Sequence, residues 1–292
     1  MWGLHDFCLE GAQGAASFLE IVEKAFGPAE NAEQFSQYAQ WINYDGYRGI
    51  FEGRSEFRRG MLLWMSHPAW PSMVWQTYDY FFDPTAAYFG CKKASEPLHI
   101  QWNPVFHDIE VVNLHAGSCE GLRAHAQIIN TDGSVQWEKD TLVNSNEDST
   151  IKCFRLEFPG TLSDVYFIKL TLSQNDRILS ENFYWRGLEE GNLQALKNLP
   201  KVSLSTKTKS QKEGDQWKLT TTLVNESEVP CLMVRLKVIG NKSGERILPV
   251  FFSDNYVSLM PGEAKTITMT LKNQDTRGER PCVVLSGFNY EE

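Results

Sequence analysis

The sequence predicts a multidomain fold class: a remnant of a (β/α)8 TIM barrel, made of helices plus the last strand, followed by two all-β immunoglobulin-like sandwiches. Helical apolar periodicity comes first, and the continuous apolar run from Met61 to Met65 is typical of a strand buried on both faces. Short strands of period-two alternation, separated by turn residues, follow from Leu98 onward. The predicted domains are a barrel portion at residues 1–97, a first sandwich at 98–187, a linker at 188–200 and a second sandwich at 201–292.

Composition and charge restrict the possible partners. The chain has 292 residues, of which 42% are hydrophobic and 22% charged, as expected for a globular protein with real cores. Its net charge of −9 argues against nucleic acid and against anionic membrane surfaces, and no apolar run approaches the roughly 18 residues needed for membrane insertion. The scattered cysteines lack metal spacing, so we expect buried free thiols, no metal and no cofactor. They are Cys8, Cys91, Cys119, Cys153, Cys231 and Cys282.

Two amphipathic helices are predicted before the apolar run. The first spans Ala15 to Phe26, on apolar recurrence at i, i+3, i+4 and i+7, and is ended by Gly27-Pro28. The second begins at Asn31, whose spacing to Gln34 is that of a capping box, and is expected to continue toward Phe57. A long helix that leads into a buried strand is the last helix–strand step of a barrel.

Polar and aromatic side chains of the second helix have competing interpretations. Tyr38, Trp41 and Tyr44 resemble a sugar-stacking ladder, yet at helical spacing they are predicted to be packing residues. Glu52 and Glu56 lie four residues apart among arginines, which favours a solvated charged face over a catalytic pair.

Alternating strands dominate the rest of the chain. About seven of them precede Gly187, which is the size of an immunoglobulin domain. The polar stretch 188–200 is predicted to be a linker with one helical turn, and a second set of alternating strands follows it. Asp254-Asn255-Tyr256 favours a local turn made by side-chain bonds to the backbone over a ligand contact.

Several motifs follow one another at fixed spacing between Gly60 and Gln101. They are Trp64-Met65, Trp70-Pro71-Ser72, Tyr78-Asp79-Tyr80 and the tail AYFG-x-KKA-x-EPLHIQ that begins at Ala87. The stretch resembles glycoside hydrolase family 2, in its exo-β-D-glucosaminidase and β-mannosidase-like branch. SDNY-x-x-LMPGE, from Ser253 to Glu263, resembles the final immunoglobulin-like domain of the same branch.

The resemblance implies a retaining β-glycosidase that uses two glutamates about 5 to 5.5 Å apart. In the family, the acid/base belongs to an Asn-Glu pair after barrel strand four, and the nucleophile ends strand seven. Neither can be assigned in this chain, since Glu10 follows no strand and the Asn-Glu pairs at Asn146 and Asn225 fall in sandwich loops. We therefore expect the chain to begin inside a catalytic domain and to be inactive alone. It would then be a cloned piece or a truncated gene product.

Without the catalytic glutamates, the chain would contribute only residues that line the active site. The resemblance makes Trp64 the indole that lines the subsite for the non-reducing sugar, with a barrel-core plug as its alternative. His5 and Asp6 are candidate substrate contacts near the strand-seven loop, whereas Trp70 and Trp75 are expected to bury against the following sandwich.

The resemblance also bears on partners and localisation. The expected partner of the parent enzyme is a β-linked oligosaccharide, and the parent would be periplasmic or secreted. The chain's own localisation and oligomeric state are open. A non-catalytic carbohydrate-binding or structural β-sandwich protein is the alternative function.

Overall fold

The structure, a computed structural model, describes residues 15–53, 61–72 and 76–292. Within these ranges, three helices occur in the first third of the chain. They are α1 (Ala15–Phe26), α2 (Ala32–Glu52) and α3 (Ala86–Ala94). Within the described ranges, no helix is long and apolar enough to cross a membrane.

Both predicted helices are confirmed. The Asn31 side chain accepts a hydrogen bond from the Gln34 backbone N–H at 2.9 Å, which caps α2. The Gln34 side chain accepts in return from the N–H of Glu30, at 2.7 Å, one residue earlier than in a standard capping box. The helix is assigned as far as Glu52, and Phe57 lies outside the described residues.

Seven strands form the first sandwich, in agreement with the number predicted before Gly187. They are β1 (Leu98–Asn103), β2 (Asp108–Asn113), β3 (Cys119–Asn130), β4 (Val135–Ser145), β5 (Ser149–Arg155), β6 (Val165–Gln174) and β7 (Arg177–Gly187). One antiparallel sheet has the order β4-β3-β6-β7 and the other β1-β2-β5. Alternate residues of both sheets, such as Ile109, Ala124 and Ile168, are fully buried between them.

The second sandwich also has one four-stranded and one three-stranded sheet, with orders β11-β13-β9-β8 and β12-β10-β14. Its strands are β8 (Ser205–Glu213), β9 (Gln216–Val224), β10 (Cys231–Gly240), β11 (Phe251–Phe252), β12 (Val257–Leu259), β13 (Ala264–Lys272) and β14 (Pro281–Ser286). Leu236, Ile267 and Met269 lie in its core.

The connection between the sandwiches contains the predicted single turn, a 3-10 helix at Gln194–Asn198. It is anchored to α1, because the Leu193 N–H donates to the Ala25 carbonyl at 2.8 Å and Leu196 is fully buried. One hydrophobic cluster joins α1, α2, this turn, the outer face of β6 and β7, and the second sandwich. The helices and the two sandwiches are therefore packed together.

The expected strand at Met61 to Met65 is a wrong prediction. The structure assigns no regular secondary structure to this run, and Leu62 and Trp64 are 97% and 78% exposed. A strand buried on both faces needs paired neighbours and covering side chains, and none of the described residues supplies them here. The barrel remnant therefore stays a prediction.

The cysteine prediction holds only in part. The described cysteines are free thiols, but of these only Cys231 is buried, and Cys282 is exposed. Cys8 lies outside the described residues.

Candidate substrate-binding site

Trp64 lies in an irregular segment, 61–72, and exposes most of its indole. The next residue, Met65, has a left-handed backbone (φ 58°), which turns the chain sharply after the indole. His5 and Asp6 lie outside the described residues, so both stay predictions.

A second loop, residues 77–85, holds this segment through its backbone. We call it the Asp79 loop. The Ser66 carbonyl accepts hydrogen bonds from the N–H groups of both Thr77 and Tyr78, each at 3.1 Å. The loop is closed by bonds from the Thr85 N–H to the Thr77 carbonyl and from the Asp79 N–H to the Asp83 carbonyl, both 3.0 Å. The position of the Trp64 segment is thus tied to that of the Asp79 loop.

The Asp79 loop presents aromatic rings outward. Tyr80, Phe81 and Phe82 are 41%, 53% and 56% exposed. His67 stacks on Phe82 with ring centroids 4.3 Å apart, and its Nε2 lies 3.3 Å from the Tyr80 carbonyl. A lone histidine in a loop is usually just solvated, but His67 has these two contacts within the loops. The two loops together form an aromatic surface with polar backbone edges, which is the chemistry that pyranose rings contact.

Two arginines from the second sandwich hold the carboxylates of the Asp79 loop. Arg235, on β10, places Nη2 2.7 Å from Asp83 Oδ2, and Arg246 places Nη1 2.8 Å from the same oxygen. Arg246 Nη1 also lies 3.5 Å from Asp79 Oδ2. Sequence reasoning missed both arginines, because nothing in the local pattern connects residues about 150 positions apart; the only available signal was the pair of aspartates around three aromatic residues.

Trp70 is a further correction. Instead of burying against the following sandwich, as the sequence predicts, it is 53% exposed. Trp75, with the same expectation, lies outside the described residues.

Glu52 corrects the expectation of a solvated helix face. Its side chain is 7% exposed, because the first sandwich covers this face of α2. Asn182 Nδ2 donates to Glu52 Oε1 at 2.7 Å, and Tyr184 Oη donates at 3.0–3.1 Å to both carboxylate oxygens. Arg48, 1% exposed, donates to Asn182 Oδ1 at 2.9 Å. These groups form a buried structural network between α2, β1 and β7.

His99 lies in the same network, between two glutamates. Its Nε2 is 3.0 Å from Glu52 Oε1 and its Nδ1 is 3.2 Å from Glu96 Oε2. Burial acts to lower the pKa of His99, but the bonds to both carboxylates outweigh it and raise the pKa. Burial acts to raise the pKa of Glu96, and the His99 hydrogen bond and the Lys93 charge outweigh it and lower that pKa. This geometry favours a protonated His99, whose two ring N–H groups each donate a hydrogen bond to a carboxylate.

A cleft of about 230 Å³ lies between the two sandwiches and α3. Its lysines are paired with carboxylates: Lys265 Nζ is 3.0 Å from Asp254 Oδ2 and 3.6 Å from Glu181 Oε2, and Lys169 contacts Glu263. Lys265 with Glu181, and Lys169 with Glu263, form ion pairs between the two sandwiches. We therefore interpret the cleft as part of the contact between the two domains. The Asp254 and Asn255 side chains accept hydrogen bonds at 2.9–3.0 Å from the N–H of the residue that follows each, as predicted for local side-chain bonds, but the Asn255 side chain also bonds to Leu236 of β10.

Among the described residues, the surface around Trp64 has no pair of carboxylates free to act as acid and base. The carboxylates of segments 61–72 and 76–85 are Asp79 and Asp83, and both are held by arginines. In the described parts of the chain, no group of three His, Cys, Asp or Glu residues has the geometry to hold a metal ion. What the structure presents is an exposed aromatic surface.

Comparison with known proteins defines the class. The sequence model of the exo-β-D-glucosaminidase Ig-fold domain matches residues 182–290, which include all of the second sandwich. The crystal structure of exo-chitosanase CsxA from Amycolatopsis orientalis superimposes with a TM-score of 0.88 at 28% identity, covering 94% of this chain and 36% of that one. A β-D-mannosidase from Dictyoglomus thermophilum shares the fold, with a TM-score of 0.74 at 17% identity. The chain therefore has the fold of about a third of each of these two proteins.

Sequence relatives make the assignment specific. The exo-β-D-glucosaminidase of Amycolatopsis orientalis is 30% identical over 303 residues, covering 93% of this chain and 29% of the relative. That of Streptomyces avermitilis is 30% identical over 300 residues, covering 91% and 33%. The chain thus spans about a third of the length of these relatives. It belongs to glycoside hydrolase family 2, in the exo-β-D-glucosaminidase and β-mannosidase-like branch.

Proposed function

We propose that this chain is the C-terminal portion of an exo-acting retaining β-glycosidase that hydrolyses β-linked glucosaminides or mannosides. Residues 1–97 would complete a catalytic (β/α)8 barrel, and 98–187 and 201–292 would be its two supporting immunoglobulin-like domains. Both catalytic glutamates would lie outside this chain, which alone would be inactive. Relatives about three times as long, named exo-β-D-glucosaminidases, support this proposal.

One observation carries it: exposed apolar side chains concentrate where the barrel should continue. Soluble surfaces rarely expose such a dense group of large apolar residues unless another surface covers them or a ligand binds there. Within segments 61–72 and 76–85, nine large apolar side chains are at least 36% exposed. They are Met61, Leu62, Leu63, Trp64, Met65, Trp70, Tyr80, Phe81 and Phe82.

Trp64 is the proposed sugar contact of this surface. Its exposed indole can cover the C–H face of a pyranose, whose polar edge would meet groups from the rest of the barrel. A related structure, exo-β-D-glucosaminidase CsxA bound by a glucosamine-configured castanospermine, supports a ligand of glucosamine type. His5 and Asp6 are proposed as further contacts.

The test compares the 292-residue chain with the longer reading frame that contains it, using aryl β-D-glucosaminide and β-D-mannoside substrates. We expect hydrolysis only by the longer protein. In that protein, Trp64→Ala should raise KM about tenfold or more, since one stacked aromatic ring is lost. Phe106→Ala removes an aromatic ring that is 61% exposed between β1 and β2 of the first sandwich, away from this surface, and as the control it should leave KM unchanged.

Two outcomes would overturn the proposal. Hydrolysis by the pure 292-residue chain would show that the catalytic pair lies within it. A genuine start signal at Met1, with a stop codon upstream, would leave a structural or carbohydrate-binding protein instead.

A further inference from the structure

The second sandwich contacts the segment that bears Trp64 through a continuous series of bonds. We propose that Arg235 and Arg246 are positioning residues: they hold the Asp79 loop, and through it they fix the Trp64 segment. That this positioning affects sugar binding rests on the proposed function. The connection from the two arginines through the Asp79 loop to the Trp64 segment does not. The second sandwich would thereby determine the conformation of the candidate sugar-binding site.

The first link is anchored on rigid backbone. Arg235 belongs to β10, the central strand of its sheet, and Arg246 forms an antiparallel bridge with Ile239 of the same strand. Both guanidinium groups converge on one oxygen of Asp83, at 2.7 and 2.8 Å. Because Asp83 is only 7% exposed, loss of both partners would leave its carboxylate buried and unpaired.

The second link lies inside the Asp79 loop. Asp79 Oδ1 accepts from the N–H groups of Phe81 and Asp83, at 2.8 and 2.9 Å, while its other oxygen faces Arg246. The carboxylate therefore defines the loop's conformation and joins it to the second sandwich. Phe82, at the loop's tip, has a left-handed backbone (φ 64°), a conformation that needs such bonds to persist.

The third link reaches the Trp64 segment. The Thr77 and Tyr78 N–H groups and the Thr77 hydroxyl all donate to the Ser66 carbonyl, at 3.1 to 3.3 Å. His67 stacks on Phe82, which adds a side-chain contact between the two loops. Trp64 itself is 78% exposed, so its location depends on this backbone more than on packing of its own ring.

The decisive measurement is amide hydrogen exchange of the 292-residue chain. Arg235→Met combined with Arg246→Met should raise exchange about tenfold or more at Thr77 and Tyr78, whose N–H groups bond to Ser66. Leu170 of β6 should keep its rate, which verifies the fold. Arg246→Met alone, at a side chain 41% exposed, should give a smaller increase in the same direction if the double variant does not fold.

A matched control exists in the same sandwich. Arg277 pairs with Glu245 at 2.6 Å, and both side chains are mostly exposed and distant in sequence from the Asp79 loop. Arg277→Met should therefore leave exchange at Thr77 and Tyr78 unchanged. Unchanged exchange in the double variant, or a rise confined to Asp79 and Asp83, would overturn the coupling.

Kinetics of the longer protein separate positioning from mere stability. In the double variant, KM for an aryl β-D-glucosaminide should rise about tenfold while kcat stays within about twofold. Arg235→Lys combined with Arg246→Met should raise KM less, because a lysine ammonium group can still pair with Asp83. Faster exchange with an unchanged KM would overturn positioning of the sugar contact. If the wild-type longer protein hydrolyses no glycoside, the proposed function fails, and the exchange data still decide whether the two arginines hold the segment.

Discussion

At the scale of single residues, His99 is a fully buried titratable group with a glutamate at each ring nitrogen. A neutral imidazole donates from one nitrogen only, yet both nitrogens of His99 face glutamate oxygens, at 3.0 and 3.2 Å. Around it lie Glu52 and Arg48 from α2, Asn182 from β7, and Glu96 with Lys93 at the end of α3. The imidazolium therefore joins the helices to the first sandwich.

The pKa shifts of this network predict an acidic optimum for its contribution to stability. The raised pKa of His99 means that its stabilisation is complete below about 6.5 and is lost as pH rises through the folded-state pKa. The lowered pKa of Glu96 means that its stabilisation is present above about 4.5 and is lost as pH falls through its folded-state pKa. The network should thus be strongest between about pH 4.5 and 6.5.

His99→Gln tests this prediction. It should lower the free energy of unfolding by about 3–5 kcal/mol at about pH 5.5, since two glutamates lose a buried cation. At about pH 9 the loss should be smaller, because part of the wild-type stabilisation has gone. Urea unfolding at both pH values measures it, and His125→Gln, at a half-buried site, is the control. An equal loss at both pH values would contradict a titrating His99.

At the scale of elements, the contact between α2 and α3 depends on one glycine. A Cβ at Gly90 would overlap the Tyr44 carbonyl oxygen, closer than atoms can approach. Gly90→Ala should therefore destabilise the chain by about 1–3 kcal/mol, because the helices must separate. Gly46→Ala, in α2, meets no atom within 4 Å and should stabilise by up to about 1 kcal/mol. Thermal melts of both variants check the sign, and equal effects would refute a contact at Gly90.

Elements whose residues interact with near neighbours could be predicted from the sequence. Periodicity and the Asn31 cap placed α1 and α2, and alternation indicated a set of strands on each side of the stretch 188–200. By contrast, α3 was not predicted, since nine residues rich in alanine carry little periodic signal. The run at Met61 has the composition of a buried strand, but composition alone cannot show whether neighbours cover it.

The site was less predictable than the fold, for the same reason. The family motif made Trp64 a candidate, but the arginines that hold the neighbouring loop come from the second sandwich, about 150 residues further along the chain. Glu52 looked solvated beside Arg48, whereas the first sandwich buries both. Burial by a remote element cannot be read from local spacing.

At the scale of the whole molecule, one aromatic cluster joins the helices and both sandwiches. The Trp41 ring lies 5.4 Å from Phe26 of α1, 5.0 Å from Trp185 of β7 and 5.0 Å from Phe288, which follows β14. Trp41 is 1% exposed, as its interpretation as a packing residue requires. The shared cluster should make the helices and both sandwiches unfold together, although the first sandwich also has an interior core of its own.

Trp41→Ala should break this cooperation. Calorimetry of the wild-type chain should show one transition, because the second sandwich shares its core with the helices and with β7. The substitution should cost about 3–5 kcal/mol and separate the transition into two, as the first sandwich keeps its interior. Trp137→Ala, which removes a ring packed against Phe154 and the core of the first sandwich, should lower the melting temperature but leave a single transition. Two transitions in the wild type would mean that the sandwiches are independent and that the cluster around Trp41 does not couple them.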